Sequence, residues 1–243
     1  MALREELEKQ GNWLFKWRSY LPLAILPILL IALRNSEHFE SGVQFLCVAI
    51  SFLGLFIRGI TVGYVSEGTS GRNTKEQKAE KLNTTGMYSI VRHPLYFGNF
   101  IIFLGIISFV GVWWFILIAI LTFWVYYERI MFAEEEFLRE KFGILYLEWA
   151  KRTPAFLPKL KNWRKPNLPF SFRNVLKREY PGFFGIIASF TLLKVAKNIL
   201  TKGKLELDLE WAILFIIGLI TYLILRTLKR KTKVLDVKGK KAK

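Results

Sequence analysis

Two short polar stretches flank a long apolar run, and their side chains are of kinds that do chemistry. The first reads Thr84-Thr85-Gly86-Met87-Tyr88-Ser89-Ile90-Val91-Arg92-His93-Pro94-Leu95-Tyr96-Phe97-Gly98-Asn99. The second opens on Glu134-Glu135-Glu136 and closes on Phe142-Gly143-Ile144-Leu145-Tyr146-Leu147-Glu148-Trp149-Ala150-Lys151-Arg152-Thr153-Pro154, with Pro158 just beyond. A guanidinium and an imidazole at the mouth of one apolar segment, and carboxylates at the exit of the next, are expensive at a membrane boundary, which makes them site candidates. Together they suit a zwitterionic ligand. Arg92 or His93 can take a carboxylate, and Glu134 or Glu135 an ammonium or sugar hydroxyls. Tyr88 and Tyr96 offer ring faces to a heteroaromatic ring or a cation, and Gly86 and Gly98 allow close approach of backbone or ligand. S-adenosylmethionine carries all of these groups: carboxylate, ammonium, sulfonium, ribose diol and adenine.

The elements that must hold these residues are apolar spans. The chain has 243 residues, 52% of them hydrophobic and 16% aromatic, with long uncharged stretches alternating with densely charged ones. That segregation predicts an all-α, polytopic membrane protein, since a spanning helix needs roughly 17–25 mostly apolar residues. Candidate spans run over 13–33, 43–65 (with Arg58 inside), 181–200 and 209–228. The unbroken apolar run from Tyr96 to Tyr127 predicts a hairpin of two short or tilted helices turning near Ser108 and Gly111. About six transmembrane helices result. A helix is expected over 134–150, with Phe137, Leu138, Phe142, Leu145 and Trp149 as its apolar stripe.

The net charge of +17, from 36 Lys+Arg against 19 Asp+Glu, fits either a nucleic-acid binder or loops facing anionic lipid. The spans decide for the membrane and against nucleic acid. With the N-terminus in the cytoplasm, Arg4, Lys9, Lys16, Arg18, Arg72, Lys75, Lys78, Lys81, Arg92, the 139–178 region and the basic tail all lie inside. Only Arg34, Lys202 and Lys204 lie outside, which is the positive-inside bias. Both termini are thus expected in the cytoplasm. A single cysteine, Cys47, excludes an internal disulfide, and with only His38 and His93 a zinc site of Cys and His is not expected. No metal site is expected. The acidic N-terminus does not resemble a cleaved signal peptide.

The ordered set Gly-x-Tyr, Arg-His-Pro-x-Tyr-x-Gly, apolar hairpin, Glu-Glu and Phe-Gly-x-x-Tyr-x-x-aromatic-x-x-Arg-x-Pro, over residues 80–158, resembles the isoprenylcysteine carboxyl methyltransferases and the wider phospholipid methyltransferase group. The resemblance implies an S-adenosylmethionine-dependent integral membrane methyltransferase with a cytoplasmic cofactor pocket and S-adenosylhomocysteine as product. The acceptor is then a lipid or prenylated molecule entering from the bilayer. Cofactor contacts are implied at Lys81, Leu82, Asn83, Tyr88, Arg92, His93, Pro94, Leu95, Tyr96, Gly98, Asn99 and Glu134. Catalytic or acceptor-facing roles fall on Arg129, Glu135 and Arg152. The carboxyl methyltransferases carry an acceptor-facing arginine four residues before the matched glutamate; here that position is Ile130, with Arg129 beside it. The acceptor's chemistry therefore stays open: an anion held by Arg129 or Arg152, or an amine whose proton passes to Glu134 or Glu135.

Each residue also has a plainer reading. Arg92 and Arg152 serve as cytoplasmic cations, and His93 as a helix N-terminal residue. Glu134–Glu136 serve as a solvated first turn of the 134–150 helix, the reading preferred for Glu136. Tyr126 and Tyr127 serve as interface aromatics. Arg58 snorkels or pairs with a lipid phosphate. The expected organisation is two helices in 1–65, a catalytic core over 66–160, a basic linker over 161–180, a two-helix extension over 181–228 and a disordered basic tail over 229–243. Anionic headgroups at the cytoplasmic face are expected partners, and a prokaryotic plasma membrane the expected location. The rival reading is a non-enzymatic transporter or lipid-binding scaffold, although no internal repeat of the transporter kind is visible.

Overall fold

The structure, a computed structural model, describes residues 2–18, 20–36, 41–65 and 79–236. Arg72, Lys75, Lys78, His38 and the tail from residue 237 lie outside the described residues, and with them the orientation and tail expectations that fall there. Among the described residues every regular element is helical. In chain order these are α1 (Leu3–Trp17), a 3-10 turn (Leu21–Ile25), α2 (Leu26–Arg34), α3 (Ser41–Gly63), α4 (Met87–Ile90) and α5 (Pro94–Ser108). Then come α6 (Trp113–Phe142), α7 (Ile144–Arg152), a 3-10 turn (Leu160–Asn162), α8 (Phe172–Lys202) and α9 (Leu209–Lys231). Helices α3, α6, α8 and α9 are long and apolar enough to cross a bilayer, and α5 and the segment Leu23–Arg34 are shorter apolar helices. The protein is a polytopic helical membrane protein.

The span expected over 13–33 is not one helix. Pro22 and Pro27 each stand at the start of a new helical piece. A proline lacks the N–H for an interior turn but is favoured in the first, so each restarts the helix. Released from a straight path, α1 lies along the second half of α6. Gly11 lies so close to the Arg129 carbonyl that a Cβ there would collide with it.

The hairpin forms as expected. Gly111 takes a positive φ of 76°, and Gly111 N donates to Ser108 O at 3.1 Å. Its second arm runs on without a break. At 1.5 Å per residue the 30 residues of α6 extend about 45 Å, against a hydrocarbon core of about 30 Å. The helix is thus about ten residues longer than a straight crossing needs, and Glu134 and Glu135 lie in its charged last third. The expected 134–150 helix is divided at Gly143, whose φ of 52° ends α6 and starts α7 at a new angle. The three glutamates are thus in the body of α6, not in a first turn.

Two apolar clusters mark the ends of the bundle. At the hairpin turn, Leu33, Phe109, Val110, Phe115, Phe190 and Trp211 pack together. At the other end Phe123, Met131 and Phe156 pack with Tyr96, Phe100 and Tyr127. Helix α3 lies closely on α5: a Cβ on Gly98 would meet Arg58 Cγ at 2.6 Å and Gly54 O at 3.0 Å.

The 161–180 stretch is not a free linker. Helix α8 starts at Phe172, Ser171 N donates to Gly63 O at 2.9 Å, and Asn174 Nδ2 donates to Val62 O at 2.6 Å. Nor does disorder begin at 229: α9 continues to Lys231, and Leu235 is buried. Asp236 meets Lys177 at 2.8 Å, and that hydrogen bond holds its carboxyl below the ordinary range.

Candidate functional site

The two polar stretches are joined through their backbones. Arg92 N donates to Pro154 O at 2.8 Å, His93 N to Ala155 O at 3.2 Å, and Lys159 N to Ile90 O at 2.9 Å. Gly86 N donates to Arg164 O, and Arg164 N to Ser89 Oγ, both at 2.9 Å. Gly86 itself has φ 61° and ψ −134°, a conformation that explains the glycine of the Gly-x-Tyr motif. Trp149 on α7 donates its indole N–H to the Tyr88 carbonyl at 3.0 Å, and Arg92 Nη1 reaches the Ala150 carbonyl at 3.3 Å. Helix α7 is thereby seated on the Arg-His-Pro turn.

That turn presents His93 and Arg92 to α6. Pro94 occupies the first turn of α5, where its missing N–H costs nothing, and His93 caps that helix. The imidazole, 5% exposed with its residue, places Nε2 at 2.9 Å from Glu135 Oε1 and Nδ1 at 3.7 Å from Glu134 Oε2. Arg92 Nε is 3.0 Å from the same Glu135 oxygen. Glu135 therefore ties together the guanidinium and the imidazole, while Glu134 Oε2, although buried, accepts no hydrogen bond. Tyr146 of α7 stands beside Glu135, and burial together with that carboxylate pushes its hydroxyl well up, so it stays protonated as a donor. Two carboxylates, one guanidinium and the imidazole thus share one cluster.

Rings enclose the other side. Tyr96 stacks on His93 with centroids 5.6 Å apart, and Tyr127 of α6 lies 5.0 Å from Tyr96. The Tyr96 hydroxyl faces Glu134, and Arg18, just beyond α1, acts electrostatically on the hydroxyls of Tyr96, Tyr126 and Tyr127. Asn99 donates from Nδ2 to the Tyr127 oxygen at 3.3 Å and accepts at Oδ1 from Arg58 Nη1 at 2.6 Å.

The structure thus gathers Arg92, His93, Tyr96, Glu134 and Glu135, and brings Tyr88 and Asn99 to the edge of the group. Pro94 is buried at the head of α5 and Leu95 half-buried beside it, while Gly98 faces α3. Lys81 is exposed, and Leu82 and Asn83 are half-buried on the approach to Gly86. Two residues lie elsewhere. Arg129 points to α1, with Nε 3.1 Å from Gln10 Oε1 and Nη1 3.3 Å from Glu128. Ile130 is fully buried, so no cation fills the acceptor-arginine position. Arg152 lines a separate polar cleft of about 620 Å³ between α7 and the following loop, together with Lys151, Lys159, Lys161, Arg164 and Glu148. Glu136 is buried and paired with Arg4 of α1 and, at 3.8 Å, with Arg139; it is not a solvated first-turn residue.

Sequence reasoning passed over Arg18, Tyr127 and Glu179. Tyr127 was readable as a membrane-interface aromatic, and Arg18 as one more cytoplasmic cation. Arg58 gave the one signal for Glu179: a cation within a span calls for a counter-charge. Its partner is Glu179 on α8, at 2.8 Å and 2.9 Å.

Comparison with known proteins agrees with the motif reading. Residues 43–144 match the model of the phospholipid methyltransferase family. The chain is 32% identical over 135 residues to the protein-S-isoprenylcysteine O-methyltransferase of Schizosaccharomyces pombe, covering 54% of each chain. It is 29% identical over 140 residues to the nickel-cobalt-cadmium resistance protein NccN of Alcaligenes xylosoxydans xylosoxydans, covering 58% of this chain and 64% of the relative. It is 31% identical over 148 residues to the cobalt-zinc-cadmium resistance protein CzcN of Cupriavidus metallidurans, covering 61% and 64%. The chain thus spans less than two thirds of each of these relatives. No solved structure matches it.

Proposed function

We propose, from the match of residues 43–144 to the phospholipid methyltransferase family model and the likeness to a protein-S-isoprenylcysteine O-methyltransferase, that the chain transfers a methyl group from S-adenosylmethionine to a lipid-like acceptor at the cytoplasmic face. The observation that carries this reading is the cluster of Arg92, His93, Glu134 and Glu135 beside the Tyr96–Tyr127 wall. A site with two carboxylates, one of them with a buried oxygen that accepts no hydrogen bond, and two ring faces suits a ligand that bears an ammonium and a sulfonium. When bound, the cofactor supplies an already activated methyl group.

The residues then have mainly to align and to exclude water. Glu134 offers its free oxygen to the ammonium or the ribose. His93 and Tyr96 wall the reacting centre, and Glu135 holds both the imidazole and Arg92 in register. Held there, the cofactor would supply its methyl carbon to the acceptor atom, the electron pair of the broken bond remaining on its own sulfur. A carboxylate or phosphate acceptor needs no base; an amine acceptor releases a proton, for which Glu134 is placed. Because Ile130 leaves the acceptor-arginine position apolar and Arg129 is engaged with α1, neither supplies the cation that an anionic acceptor would require there. The basic cleft at Arg152, Lys159, Lys161 and Arg164 suits anionic headgroups beside the site. We place the protein in a prokaryotic plasma membrane.

The experiment is calorimetric titration of the purified protein with S-adenosylhomocysteine, wild type beside His93→Ala and Glu134→Ala. It is followed by radiolabelled methyl transfer into a lipid extract. Micromolar binding lost in both variants is expected. A folded wild-type protein that binds nothing sinks this reading and puts the transporter or scaffold reading in its place.

A further inference from the structure

We propose that Glu179, on a helix outside the family-matched region, is a positioning residue for the methyl-transfer site, acting through Arg58 and Asn99 on the tyrosine wall. The inference rests on the site proposed above. Glu179 is on α8, Arg58 on α3 and Asn99 on α5. Arg58 Nε donates to Glu179 Oε2 at 2.8 Å and Nη2 to Oε1 at 2.9 Å, with the two side chains 15% and 6% exposed. The third donor of the same guanidinium, Nη1, bonds Asn99 Oδ1 at 2.6 Å.

An arginine can only donate, so it compels Asn99 to present its carbonyl oxygen to α3. The Asn99 amide nitrogen is thereby turned to α6, where it donates to the Tyr127 oxygen at 3.3 Å. Tyr127 must then send its own proton elsewhere. Its ring lies 5.0 Å from Tyr96, which stacks at 5.6 Å on His93. One continuous set of contacts therefore runs from α8 to the imidazole. Gly98, one residue before Asn99, is part of the arrangement, because a Cβ there would stand 2.6 Å from Arg58 Cγ.

Stability alone does not account for this set. An ion pair taken out of water is costly, and a well-packed apolar pair of similar volume is often as stable. A bidentate pair between spanning helices does fix a direction, and here the direction fixed is that of the Asn99 amide. This gives the C-terminal helices a share in the site although they lie beyond residue 144.

The test uses the full chain in lipid nanodiscs. The variants are Glu179→Gln and the exchange Arg58→Glu with Glu179→Arg, labelled with 3-fluorotyrosine. The Tyr96 and Tyr127 fluorine resonances are assigned with Tyr→Phe variants. Glu179→Gln is expected to move the Tyr127 resonance and to lower kcat about tenfold, while KM for S-adenosylmethionine changes less than about twofold. The exchange variant is expected to regain the thermal midpoint but not kcat, because a glutamate at 58 accepts and turns the Asn99 amide round. An unmoved Tyr127 resonance in Glu179→Gln overturns the inference. So does an exchange variant that regains midpoint and kcat together. A wild-type protein that transfers no methyl group refutes the function proposed above, and the Tyr127 resonance still decides whether Glu179 governs the wall.

Discussion

Gly98→Ala separates two readings of a motif glycine, as a surface for the cofactor or as the seat of a helix crossing. A Cβ at 98 would stand 2.6 Å from Arg58 Cγ and 3.0 Å from the Gly54 carbonyl oxygen. The first neighbour is a side-chain stem already held at its far end by Glu179 and Asn99. The second is backbone, so neither gives way cheaply. Overpacking of this kind costs about 1–3 kcal/mol, and replacing a mid-helix glycine by alanine returns about 0.5–1 kcal/mol. The net expectation is a loss of about 1–2 kcal/mol, which for a chain of this size lowers the thermal midpoint by about 2–8 °C. Gly185→Ala is the control: it is also within a helix, nothing lies within 4 Å of its Cβ, and its midpoint should hold or rise. The assay is thermal unfolding in detergent followed by tryptophan fluorescence, paired with S-adenosylhomocysteine titration of the folded protein. A Gly98→Ala protein with an unchanged midpoint but lost binding would refute the packing argument and return Gly98 to the cofactor.

Three further outcomes follow from the same geometry. Glu135→Gln removes the anion that holds Arg92 at 3.0 Å and His93 at 2.9 Å, and so takes one negative charge from the cluster. A unit charge about 6 Å from a ligand cation at an effective dielectric of about 20 is worth about 3 kcal/mol, so S-adenosylhomocysteine binding should weaken by about 10- to 100-fold by calorimetry. Glu136→Gln, on the α1 side, should bind as wild type. Gly143→Ala places a side chain at φ 52°, ψ −124° and so favours a continued α6; it should unseat α7 and its Trp149–Tyr88 bond, seen as faster protease cleavage after Lys141 or Lys151. Charge reversal of Lys159, Lys161 and Arg164 together should reduce methyl transfer in nanodiscs rich in anionic lipid and leave it unchanged in zwitterionic ones, if the cleft holds headgroups. Equal loss in both lipids would argue against that.

Which parts of this molecule were legible depends on the range of the physics that sets them. Spans are local: an apolar run of sufficient length declares itself, and α3, α8, α9 and the α5–α6 hairpin stand close to where hydropathy puts them. Pro22 and Pro27 are local signals too, but within an apolar run they read as prolines tolerable in one packed membrane helix, and the break follows only from the structure. Its consequence is not local. Only the path of α1 across α6, with Gly11 against the Arg129 backbone, shows that Arg4 neutralises Glu136 and that Arg129 is occupied by Gln10.

The same limit explains the site. The Arg-His-Pro turn and the glutamates could be paired from chemistry alone, because complementary charges at two span ends have few other partners. Tyr127 and Glu179 could not, because each has an ordinary meaning within its own helix and acquires another only across a helix interface; Asn99, though implied as a cofactor contact, gave no sign of its bonds to Arg58 and Tyr127. A glutamate near the start of a span reads as a boundary charge. It becomes a partner for Arg58 only when α8 crosses α3 at that height. Helix crossings set by glycine contacts, such as Gly54 on Gly98, are fixed to within an ångström by packing that no single-helix pattern records. The polar residues that lie on those crossings are therefore the ones a sequence conceals, and in this chain they are the residues that hold the walls of the site.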